Sequence, residues 1–91
     1  MKILGYNYKV VHKAMKKNLG KYKFSKLEIS IDTKQAQQQL ESTTLHEILH
    51  AISEHLKLKL DEDTVGRLEV GLYQSLTDNG VDLSPLTRID K

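Results

Sequence analysis

Two histidines four residues apart, with a glutamate directly after the first, give the run His46-Glu47-Ile48-Leu49-His50. This is the HExxH pattern, and its chemistry is that of a bound metal. Residues four apart stand one above the other on a helix face, so both imidazoles can be aimed at a single point. Imidazole nitrogen suits zinc, which in a catalytic site takes a third protein ligand and leaves its fourth position to water. Glu47 projects beside the histidines, near enough to take a proton from a water on the metal, as this position does in metal-dependent hydrolases. The plain alternative is a pair of histidines at the edge of an ordinary amphipathic helix.

A third ligand is offered further along. Val65, Leu68, Glu69, Leu72, Tyr73 and Leu76 recur at helical spacing across residues 63–76, so Glu69 and Tyr73 fall within an apolar stripe. A buried carboxylate needs a cation, a donor or a metal, which makes Glu69 the expected third ligand. Tyr73, one turn later on the same face, is a candidate to hydrogen-bond the oxyanion that forms when water attacks a carbonyl. The competing reading is a core tyrosine with its hydroxyl at the rim. Asp61 and Asp63 are alternative ligands, but both stand where the helix should begin and read as caps. Glu62 reads as an acid favoured by the helix dipole, and Glu54 and His55 as solvated surface residues.

Eighteen residues separate His50 from Glu69, giving HExxH-x18-E. This pattern resembles the gluzincin metallopeptidases, in particular the small single-domain minigluzincin type, and is similar to short HExxH proteins carried by phages. The resemblance implies zinc held by His46, His50 and Glu69, with Glu47 as general base on a zinc-bound water in peptide-bond hydrolysis. It implies a peptide or protein substrate that pairs with an open strand edge before the active-site helix, here residues 26–32. It also raises latency, with the C-terminal segment covering the cleft and Asp82 or Asp90 approaching the metal. Metzincin-like proteins fit less well, because their glycine and third histidine would fall at Ser53 and Leu56.

The elements that must position these residues are legible around them. Leu45, Ile48, Leu49, Ile52 and Leu56 make one apolar stripe at about 100° per residue, with His46 and His50 on its flank, and predict a helix over residues 40–58. Asn79-Gly80 is a stop for the second helix. Before these, Tyr6, Tyr8 and Val10 alternate with polar residues as a strand, and Leu27, Ile29 and Ile31 do so as another. Residues 11–19 predict a short helix ending at Gly20. The expectation is a single α+β domain over residues 1–91: a small two- or three-stranded sheet packed against two long helices, a minimal zincin-like domain.

Composition narrows the remaining choices. With 91 residues, 38% of them hydrophobic, the chain can build one modest core. There is no cysteine, so zinc sites built on thiolates and disulfides are both excluded. No apolar run approaches the roughly 20 residues that span a bilayer, and a soluble, cytoplasmic protein is expected. Charge is lopsided: eight lysines and no acid in residues 1–27, then all twelve acids against six cations. Lys13, Lys16, Lys17, Lys21, Lys23 and Lys26, with Tyr22 and Phe24 among them, support a second reading. In it the chain is a catalytically inactive, metal-stabilised protein that contacts nucleic acid or a protein partner. Solvated lysines are the simpler account of the same charges.

Overall fold

The computed structural model describes residues 1–88. Strands β1 (Lys2–Ile3) and β2 (Tyr6–Asn7) form an antiparallel hairpin. Its two turn residues, Leu4 and Gly5, are both left-handed at φ 51° and 85°, the backbone that matches strand twist in a two-residue turn. Strands β3 (Lys9–Lys13), β4 (Gly20–Lys23) and β5 (Glu28–Asp32) form a mixed sheet in the order β3-β5-β4. β3 runs parallel to β5, and β4 runs antiparallel to it.

This topology corrects two expectations. Residues 26–32 are not an open edge: β5 is the central strand, bonded to neighbours on both sides, and its Ile29, Ser30, Ile31 and Asp32 are buried. A backbone already paired on both flanks has nothing to offer an added strand. The edges of the sheet are β3 and β4, and β4 is the one that packs on the helix carrying the HExxH run. Residues 11–19 are not a helix either, because β3 continues through the β-branched Val10 and Val11 to Lys13. The chain then turns irregularly back to β4, held by Met15 N–H to the Asp32 carboxylate at 3.0 Å and Asp32 N–H to the Leu19 carbonyl at 2.8 Å.

Helix α1 (Gln37–His55) carries the HExxH run and lies on the sheet. It ends in a complete Schellman turn: Leu58 N–H bonds to Ser53 O at 2.8 Å, Lys57 N–H to Glu54 O at 3.2 Å, and Lys57 takes φ 55°. Helix α2 (Glu62–Asp78) follows after a short loop. Asp61 caps it as expected, accepting the Thr64 N–H at 2.7 Å.

Two apolar clusters fix these elements. Ile3, Tyr8, Val10, Ile29 and Ile31 of the strands meet Ala51 of α1, while Leu45 and Leu49 of α1 meet Val65 of α2. The second cluster sets the first turn of α2 against the middle of α1. Leu68 and Leu72, expected inside, are exposed. After α2, Leu83 is buried and a 3-10 turn at Ser84–Thr87 packs on α1, where Gln37 donates to the Thr87 hydroxyl at 3.2 Å. Among the described residues no helix is long and apolar enough to cross a membrane.

Candidate metal centre

One turn of α1 separates His46 from His50, and their Nε2 atoms stand 3.2 Å apart. Ligands at about 2.0–2.1 Å from a tetrahedral zinc are themselves separated by about 3.3 Å, so this spacing fits two ligands of one ion. The third group comes from the first turn of α2. Glu62 Oε1 lies 2.5 Å from His46 Nε2, and Glu62 Oε2 lies 2.8 Å from His50 Nε2. Among the described residues, His46, His50 and Glu62 are the group whose donor atoms lie mutually within 4.8 Å. Glu62 meets both rings at hydrogen-bond distance, and with the two ring nitrogens deprotonated they and this carboxylate are a donor set suited to zinc.

Glu69 occupies a different place from the one expected of a ligand. Its Oε1 is 2.7 Å from Nδ1 of His46, the ring nitrogen that faces away from the convergence, and Ser42 donates its hydroxyl to the other oxygen. A carboxylate accepting the Nδ1–H leaves the Nε2 lone pair available and fixes the ring's direction. Tyr73 sits a turn further on and donates to Glu41 Oε1 at 3.1 Å; Gln37 donates to the other Glu41 oxygen at 2.9 Å. Burial and this bond to Glu41 raise the Tyr73 pKa. Its hydroxyl therefore serves a buried carboxylate between α1 and α2.

Other sequence candidates also find partners. His55, expected on the surface, has Nε2 2.7 Å from the Tyr8 hydroxyl, stacks on Tyr6 with centroids 4.5 Å apart and meets the edge of Phe24 at 5.0 Å. Those aromatics arrive from other elements, so no spacing along α1 announces them. Asp63 pairs with Arg67 at 3.1 Å. Asp82 turns into its own loop, accepting the Ser84 N–H at 3.0 Å, and Asp90 lies outside the described residues.

Glu47 is buried beside the cluster. Burial is the main cause of its raised pKa, about 7, opposed by His46 and supported by Glu62 and Glu69. For His46, burial works to lower the pKa, but the bonds to Glu69 and Glu62 prevail and hold it above the ordinary value. Glu62 moves the other way: burial would raise it, and the two histidines outweigh that and hold it below the usual carboxylate range. The edge strand β4 closes over the Glu47 carboxylate at Gly20. A Cβ there would stand 2.6 Å from Thr43 Cγ2 and 3.1 Å from Glu47 Oε2, so only glycine lets the strand lie this close. The result is an open cleft of about 540 Å³ bounded by Gly20, Lys21 and Tyr22 on the strand and by His46, Glu47 and His50 on the helix.

In the sequence Glu62 reads first as an acid of the helix's first turn and ranks behind Glu69, with Asp61 and Asp63, as a ligand candidate. The signal was its position beside a capping Asp61, since a cap fixes the helix start and the next residue then faces outward from a known turn. Which neighbour that turn would face depends on how α2 packs on α1, and this is tertiary information. In comparisons with known proteins, no family model, no curated protein and no solved structure matches the chain.

Proposed function

We propose that this chain is a zinc-dependent peptidase of gluzincin-like type on a minimal zincin-like domain. Zinc would be held by His46, His50 and Glu62, a spacing of HExxH-x11-E. The observation that carries this reading is the convergence of those three donors beside a buried Glu47 at the free edge of β4. The later-helix carboxylate of the gluzincin pattern is thus assigned to Glu62, and Glu69 is the positioning residue that holds His46.

A bound zinc supplies Lewis acidity, polarising a carbonyl and acidifying water toward neutral pH. The chain's own groups do the rest. The unpaired edge of β4 offers N–H and C=O groups to an extended peptide, as in strand addition, and sets its scissile carbonyl over the histidines. Glu47, buried beside the two histidines, is placed so that its carboxylate can accept the proton of the attacking water and return it to the leaving nitrogen.

The test is digestion of a mixed peptide library by the zinc-loaded chain, read by mass spectrometry, with Glu47→Gln as the control. Cleavage by the wild type that is absent from Glu47→Gln is the expected result. Equal cleavage by both, or by neither, would remove the proposed chemistry.

A further inference from the structure

A second cleft, of about 430 Å³, shares His50 and Tyr22 with the first and extends to the loop between the helices, where it is bounded by Ser53, Lys57, Lys59 and Leu60. That loop is not slack. The buried Ser53 holds it from both its backbone and its side chain: Ser53 O accepts the Leu58 N–H at 2.8 Å, and Ser53 Oγ accepts the Leu60 N–H at 3.0 Å.

The two lysines in this loop are unusual. Lys57 and Lys59 both have left-handed backbones, φ 55° and 57°. An L side chain in that region costs about 1 kcal/mol relative to glycine, and the Schellman turn that Lys57 closes is ordinarily completed by glycine. Lysine twice, at positions where glycine is the easier residue, puts two long cationic side chains at the mouth of a cleft that begins at His50. Glu54 also borders the cleft, so its charged boundary carries two cations against one acid. On the opposite side, Lys17 and Lys21 border the pockets around Glu47. Cations therefore border the clefts both around Glu47 and beyond His50, the acids being Glu47, Glu62 and Glu69 around His46 and Glu54 beside the lysine pair.

We infer that this cleft takes an acidic side chain of an extended peptide, with Lys57 and Lys59 as the residues that determine specificity. The inference rests on the peptidase reading for its substrate backbone, but its charge preference can be read without turnover. Its apolar floor, from Tyr22 and Leu60, accommodates the methylenes of a glutamate or aspartate while the lysine ammonium groups meet the carboxylate at the rim.

The experiment uses the zinc-loaded Glu47→Gln full chain and pairs of fluorescent peptides that differ only by Glu against Gln at one position. Binding is measured by anisotropy at low and moderate salt. At one position the acidic peptide is expected to bind on the order of 10-fold more tightly, with the difference shrinking as salt rises. Lys57→Gly and Lys59→Gly should abolish the preference, and because glycine suits both backbones these variants should be at least as stable as the parent. Lys26→Ala, which removes a charge away from both clefts, should keep it. Lys57→Glu with Lys59→Glu should invert the preference toward lysine peptides.

No difference between Glu and Gln peptides, or a preference that survives both glycine variants, would overturn the inference. So would binding of a single-stranded oligonucleotide through the same lysines with no preference among peptides. Charge-selective binding with no hydrolysis by the wild type would remove the peptidase reading and leave this one standing. Hydrolysis without charge selectivity would do the reverse.

Discussion

Glu69 Oε1 stands 2.7 Å from Nδ1 of His46, on the opposite side of the ring from the nitrogen that meets Glu62. Glu62 and Glu69 of α2 thus meet the two nitrogens of one imidazole, Glu62 at Nε2 and Glu69 at Nδ1. Such a partner on a ligating histidine is worth about 10–100-fold in metal affinity. Glu69→Ala is therefore expected to weaken zinc binding by that factor and still bind an equimolar amount, in titration against a chromophoric chelator. Complete loss of zinc in Glu69→Ala would make Glu69 a ligand in its own right.

Glu47 is expected to separate binding from turnover. General base catalysis typically contributes 10²–10⁴-fold, so Glu47→Gln should lose about that much in kcat while zinc affinity changes little. Comparing steady-state rates with zinc titration on one preparation checks both halves. A fall in zinc affinity equal to the fall in rate would deny Glu47 a separate role.

The same residue sets how the metal-free protein responds to pH. Its folded pKa of about 7 lies above the 4.5 of an unperturbed glutamate, so its contribution is full below that lower value and lost as pH rises through 7. The gap corresponds to roughly 3 kcal/mol. His46, also raised, loses its contribution in the same direction, whereas Glu62, lowered, loses its own as pH falls through its folded value. From these three groups, stability of the chelator-treated protein in urea should be highest near pH 4.5 and fall as pH rises toward 7. Above pH 7, metal-free Glu47→Gln should be more stable than the wild type; an identical pH profile for the two would refute the assigned pKa.

Gly20 is where the edge strand β4 meets α1. Its missing side chain lets β4 approach Thr43 and Glu47, and an added methyl at 2.6 Å from Thr43 Cγ2 must push strand and helix apart. Gly20→Ala should cost about 1–3 kcal/mol, in keeping with other overpacked sites, and lower peptide hydrolysis beyond what the lost stability explains. Calorimetry and kinetics together decide, and an unchanged melting temperature would mean the contact is not confining.

Much of this arrangement was legible in the chain. The HExxH run, the apolar stripe that makes its helix, the capping Asp61 and the central strand at Ile29 and Ile31 follow from periodicity and local chemistry, which act over a few residues. The α+β class, with its small sheet and two helices, follows from the same signals. What was not legible depends on packing. That β5 is central and β4 an edge strand is decided by which strands pair, and residues 11–19 became strand and loop because Val10 and Val11 found a partner in β5. The expected ligand Glu69 and Glu62, which meets both histidines, lie two turns apart on α2. Local pattern marked Glu69 as inward facing, correctly placing it next to His46, but it could not say which imidazole nitrogen it would meet. His55 found its aromatic neighbours only through the hairpin and the end of β4.

The most direct measurement is the zinc content and affinity of purified wild type and Glu62→Ala after dialysis against metal-free buffer. The account predicts an equimolar, tightly held zinc in the wild type that is lost in Glu62→Ala, with both proteins remaining folded. A Glu62→Ala protein that holds zinc as tightly as the wild type, or a wild type that takes up none when zinc is supplied, would contradict it.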